Sequence, residues 1–94
     1  MEAKMNNYNT WIKYQDEIEL KRTLEKMLNE SGFKIVGYNE HFFPIQGFTG
    51  IWLLSESHLA IHSFPEEDKI YIELSSCIDI PFERMVNMIK RYLA

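Results

Sequence analysis

His58-Leu59-Ala60-Ile61-His62 alternates apolar with polar or small side chains, Pro65-Glu66-Glu67-Asp68 interrupts, and Lys69-Ile70-Tyr71-Ile72-Glu73-Leu74-Ser75-Ser76-Cys77 alternates again. Neighbouring side chains of an extended strand point to opposite faces. Ile70, Ile72 and Leu74 therefore share one face, and Tyr71, Glu73, Ser75 and Cys77 the other. Leu59 and Ile61 likewise oppose His58, Ala60 and His62. Two strands that are aliphatic on one side only need a second layer on that side.

The flanking sequence supplies it. Residues 33–39 and 48–55 are rich in β-formers and are joined by a connection punctuated by Pro44 and Gly47, which suits a hairpin-like turn. Further back, Asp16 followed by Glu19 fits a helix N-cap, Ile18, Leu24, Met27 and Leu28 recur at helical spacing, and Gly32 supplies the stop. Tyr8-Asn9-Thr10-Trp11-Ile12-Lys13-Tyr14 reads as a short strand by its aromatic and branched residues, although its alternation is poor. After Cys77, the spacing predicts a second amphipathic helix, with Asp79 at its cap, Pro81 in its first turn, and Phe82, Met85, Val86, Ile89, Tyr92 and Leu93 on one side. The order β-α-β-β-β-α predicts a two-layer α+β sandwich: a mostly antiparallel sheet with both helices on its aliphatic face, and His62 and Cys77 on the other.

Ninety-four residues suit one domain over 1–94, since so short a chain cannot divide its buried surface between two cores. A hydrophobic fraction of 46% with only four glycines and three prolines excludes a disordered or collagen-like chain. A net charge of −4 argues against a nucleic-acid partner. The lone Cys77 makes no intrachain disulfide, and Met1 to Thr10 hold no apolar run of the signal-peptide or membrane-span kind, so a cytoplasmic setting is expected. Met27, Met85, Met88 and Trp52 read as packing, and Glu17 with Lys21 as an i, i+4 pair on a solvated helix face.

Taken singly, His58, His62 and Cys77 are compatible with an ordinary sheet face. A zinc site built on the two histidines is disfavoured, because four residues along a strand span about 13 Å, whereas ligands of one ion lie far closer together. No metal is expected. A serine hydrolase is disfavoured because no G-x-S-x-G stands in the chain.

The string Ser55-Glu56-Ser57-His58-Leu59-Ala60-Ile61-His62-Ser63-Phe64-Pro65-Glu66, preceded by Gly47-Phe48-Thr49-Gly50 and followed by Cys77, closely resembles the signature of the prokaryotic S-adenosylmethionine decarboxylase proenzymes. So long an ordered string is far more specific than a short motif. The resemblance implies a pyruvoyl-dependent carboxy-lyase of polyamine (spermidine) synthesis, a zymogen that makes its own cofactor by autocatalytic cleavage between Glu56 and Ser57. Ser57 matches the residue that attacks the Glu56 carbonyl and becomes the pyruvoyl group, which forms a Schiff base with S-adenosylmethionine. His62 matches the processing base, Thr49 the processing hydroxyl and Cys77 the proton donor. Phe43 matches an aromatic that stacks on adenine, and Glu66 a carboxylate for the ribose hydroxyls. The resemblance also implies a homodimer whose sites borrow from both protomers. Two departures stand out: Asp68-Lys69 replaces a Gly-Tyr pair, and Ile78 replaces the glycine after the cysteine. They leave two alternatives, a relative acting on arginine or ornithine and a non-processing homologue that binds without catalysis.

Overall fold

The computed structural model describes residues 2–93. Its order is β1 (Asn6–Lys13), α1 (Glu17–Ser31), β2 (Ile35–Phe42), β3 (Phe48–Leu54), β4 (Ser57–Phe64), a 3-10 turn (Pro65–Glu67), β5 (Lys69–Ser76) and α2 (Asp79–Tyr92). The five strands form one sheet ordered β1-β5-β4-β3-β2, and every neighbouring pair is antiparallel. This is the expected α+β sandwich. The first strand, although it precedes all the others, lies at an edge against the last.

Local chemistry explains most boundaries. Asp16 accepts a hydrogen bond from the Glu19 N–H at 3.0 Å and so caps α1. Gly32, at φ 103°, ends that helix in the left-handed region. Asp79 departs from expectation: it is the first helical residue, Ile78 holds the cap position without a side-chain bond, and the Asp79 carboxylate turns outward to Asn6 (2.9 Å) and Lys4 (3.2 Å). Those two donors, Asn6 foremost, hold the carboxyl below its ordinary pKa.

Leu20, Leu24, Met27 and Leu28 from α1 and Met85 and Ile89 from α2 close over Trp52, Leu54, Leu59, Ile61, Ile70, Ile72 and Leu74, all buried. Burying each such side chain is worth about 1.5–3 kcal/mol, so this one-sided core is the main stabilising term. Ile18, expected among the apolar positions, is exposed, and Leu20 takes the buried place. The i, i+4 pair of Glu17 with Lys21 also gives way to tertiary partners. Lys21 reaches across to Glu40 at 2.6 Å, and Glu17 accepts the Ser63 hydroxyl at 2.7 Å. Glu40 also accepts the Tyr38 hydroxyl at 2.6 Å. The Lys21 bond, then the Tyr38 bond, lower the Glu40 pKa, while burial and the neighbouring carboxylate push the Tyr38 phenol up.

Asp68, which replaces a glycine of the resembled pattern, has φ 55°, a left-handed conformation that Asp tolerates better than most residues. Ile78 is extended at φ −109°. Among the described residues no helix is long and apolar enough to cross a membrane.

Candidate active site

Residues 55 and 56 form the tight turn between β3 and β4, so the Glu56–Ser57 peptide bond lies where the hairpin re-enters the sheet. Ser57 pairs with Leu54 on one side and with Ser76, the last residue of β5, on the other. Its hydroxyl points to the helix side and donates to Ser76 Oγ at 2.7 Å, with Ser57 only 8% exposed and Ser76 fully buried. Just past β5, the Cys77 backbone N–H reaches the Glu56 carbonyl at 3.4 Å and its thiol reaches the same oxygen at 3.3 Å. Cys77 is exposed, and its sulfur also lies 3.8 Å from the Glu56 carboxylate. The carbonyl before Ser57 thus faces two donors from one residue. Such donors stabilise negative charge developing on a carbonyl oxygen under attack.

The second cluster sits at the opposite end of the strands. Thr49 and His62 are cross-strand partners, and Thr49 Oγ1 lies 3.0 Å from His62 Nδ1. They belong to a row that crosses the uncovered face from edge to edge: Trp11, Tyr71, His62, Thr49 and His41, each in register with the next. Trp11 stacks obliquely on Tyr71 at 5.1 Å and on Phe64 at 5.7 Å. Beside this row the β2–β3 connection folds back through the Phe43 N–H bond to Gly47 O at 3.0 Å. Phe43, Pro44, Ile45, Gln46 and Glu66 line a hollow of about 360 Å³, in which Gln46 donates to Glu66 at 3.2 Å. Gly47 is required here. Its φ is 90°, and a Cβ would stand 2.9 Å from the Ser63 carbonyl oxygen.

The seven candidate residues therefore fall into two groups, Glu56, Ser57 and Cys77 at one end of the sheet and Phe43, Thr49, His62 and Glu66 at the other. Alternation places His62 and Cys77 nominally on one face. The fold nevertheless does not bring them together, because Cys77 lies beyond the end of β5, six residues from the Tyr71 that pairs with His62. Ser57 and His62 are five residues apart on β4 and point to opposite faces, a separation of about 16 Å at the usual strand rise.

A family profile described as S-adenosylmethionine decarboxylase matches residues 8–94. The chain belongs to the S-adenosylmethionine decarboxylase family. It is 32% identical over 68 residues to the S-adenosylmethionine decarboxylase proenzyme of Prochlorococcus marinus strain MIT 9211, covering 72% of this chain and 56% of that protein. The proenzyme of Symbiobacterium thermophilum is 38% identical over 65 residues, 69% of this chain and 49% of that one. The chain spans about half the length of the curated relatives it matches. The crystal structure of the adenosylmethionine decarboxylase from Aquifex aeolicus superposes with a TM-score of 0.70 over 93% of this chain and 78% of that one, at 21% identity, which establishes the shared fold.

Ser76 escaped the motif reading. Its signal was nonetheless present: the alternation that puts Ile70, Ile72 and Leu74 on the core face puts Ser76 there as well, a hydroxyl where an aliphatic side chain is expected.

Proposed function

We propose that this chain is the proenzyme of a pyruvoyl-dependent S-adenosylmethionine decarboxylase that cleaves itself between Glu56 and Ser57 and acts in polyamine synthesis. One observation carries the reading: a buried serine hydroxyl follows a carbonyl that already accepts two Cys77 donors. In the first step Ser57 Oγ attacks the Glu56 carbonyl carbon, the C–N bond breaks, and the hydroxyl proton ends on the released nitrogen. A base then removes the Ser57 Cα proton, the Ser57 Cβ–Oγ bond breaks, and Glu56 departs with the oxygen as a new main-chain carboxylate. The remaining three-carbon unit loses ammonia to water and caps residues 57–94 as a ketone. That ketone supplies the electron sink for the pair left behind by carbon dioxide.

His62 suits the base, since Thr49 orients its ring at 3.0 Å. Within one chain it is about 16 Å from Ser57, too far for proton transfer. A homodimer resolves this mismatch: the Thr49–His62 cluster of one protomer completes the Ser57–Cys77 cluster of the other. The uncovered sheet face suits such an assembly, because Trp11 is 50% and Leu53 58% exposed on it, with Val36 and Ile51 alongside. The hollow of Phe43 and Glu66 adjoins the His62 end, where an aromatic face suits a purine and a carboxylate suits two vicinal hydroxyls. Cys77, an exposed thiol kept reduced in a cytoplasmic setting, then protonates the carbon that lost carbon dioxide.

The assay is release of labelled carbon dioxide from carboxyl-labelled S-adenosylmethionine, arginine and ornithine offered separately to the purified protein. Release from S-adenosylmethionine alone is expected. Release from arginine or ornithine instead, or from none of the three, overturns the assignment.

A further inference from the structure

Ser76 has no role in the chemistry above, yet it holds the atom on which that chemistry begins. Its hydroxyl oxygen accepts the Ser57 hydroxyl at 2.7 Å and the Ile78 N–H at 3.0 Å, while its own proton is directed to the Ile78 carbonyl at 3.3 Å. With Ser76 accepting from the Ile78 N–H and donating to the Ile78 carbonyl, the arrangement that satisfies every contact has Ser57 donating and Ser76 accepting. The pair is buried, and Ser76 is fully so, which leaves water little opportunity to compete. A serine side chain otherwise samples three staggered rotamers. Here one is selected, and with the Ser57 proton directed to Ser76, no donor among the described residues engages the lone pairs of Ser57 Oγ. The same two bonds to Ile78 fix the backbone on either side of Cys77, the residue whose N–H and thiol meet the Glu56 carbonyl. One hydroxyl thus sets both the nucleophile and the polarising donors.

We propose that Ser76 is a positioning residue for self-cleavage: it orients the Ser57 hydroxyl and the Cys77 donors for the N-to-O acyl shift. The proposal rests on the proenzyme reading given above. The Ser57 Oγ to Glu56 carbon bond forms, the Glu56 carbon to Ser57 nitrogen bond breaks, and the proton leaving Oγ ends on that nitrogen.

The test follows cleavage of freshly made full chain by intact mass over time in wild type, Ser76→Ala, Ser76→Thr and Ser76→Val. Thr and Val have the same shape and differ in the hydroxyl, so their comparison isolates the hydrogen bond from packing, including where Ala disturbs the fold. Losing a buried hydrogen bond to the reacting atom is expected to slow cleavage about ten-fold in Ser76→Ala and Ser76→Val. Ser76→Thr is expected to stay within about three-fold of wild type. Hydroxylamine, which cuts the ester formed by the acyl shift, is expected not to restore the rate in Ser76→Ala, because the ester itself forms slowly. Equal rates for Thr and Val, or rescue of Ser76→Ala by hydroxylamine, overturn the role of Ser76 and leave the proenzyme reading standing. A wild-type chain that never cleaves overturns both.

Discussion

The division of the candidate residues between two ends of the sheet makes a quantitative prediction about mixed chains. On the proposed mechanism Ser57→Ala removes the nucleophile and His62→Ala the base for the elimination, so each variant made alone is expected to remain uncut. Along β4 the two positions are five residues, or about 16 Å, apart, against the roughly 3 Å reach of a proton transfer. If each site draws its halves from different protomers, co-expression of the variants restores one intact site in every mixed dimer. The His62→Ala chain contributes Ser57 and Cys77, and the Ser57→Ala chain contributes Thr49 and His62. The other site of the same dimer loses both groups. With equal expression and random pairing, half the dimers are mixed and one chain in each is cut, so about one quarter of all chains appear as fragments. Intact mass spectrometry of the co-purified pool reads this directly, with differential tags on the variants identifying which chain was cut. Only the His62→Ala chain is expected among the fragments. A pool as uncut as either variant alone, or fragments from a His62→Ala chain expressed by itself, refutes the two-protomer reasoning.

Other expectations concern the scaffold. Gly47→Ala forces a side chain onto a φ of 90° and brings its Cβ to 2.9 Å from the Ser63 carbonyl, so a loss of about 1–3 kcal/mol is expected in urea denaturation; an unchanged midpoint contradicts the strain assigned there. Ser63→Ala leaves the buried Phe48 N–H without its 2.8 Å acceptor and Glu17 without its donor, and about 1–3 kcal/mol is again expected, read as a lowered denaturation midpoint. The pH dependence has a defined sign. Glu40 titrates below its ordinary value of 4.5 in the folded chain, chiefly through Lys21, so its stabilisation is complete above that value and is lost as pH falls through the lowered folded pKa. The stability gap between wild type and Glu40→Gln is accordingly expected to be constant from neutrality to about pH 5 and to close under more acid conditions; a gap that persists in acid rules out this coupling.

Much of the architecture was legible because it rests on local rules. The period-two pattern of β4 and β5 assigned their faces correctly, and Asp16 and Gly32 bounded α1 by capping chemistry that acts within a few residues. What escaped depends on contacts between residues far apart in sequence. Lys21 prefers Glu40 to Glu17 because the sheet brings a partly buried carboxylate within 2.6 Å. Asp79 gives up the cap to reach Asn6 on the edge strand, a neighbour known only once β1 is placed beside β5. The candidate site shows the same limit. Alternation gives the face of a side chain, and so it put His62 and Cys77 together, but it does not give position along the strand, where the two lie at opposite ends. Register supplied that correction, and with it the argument for a second copy.

Self-cleavage is the claim on which the rest depends, and the intact mass of the freshly purified chain tests it most directly. Two species that meet between Glu56 and Ser57 are expected: residues 1–56 with an ordinary carboxyl terminus, and residues 57–94 with an amino terminus blocked to amine reagents and reactive toward carbonyl reagents. A single full-length species that persists on prolonged incubation, with Ser57 intact, contradicts it.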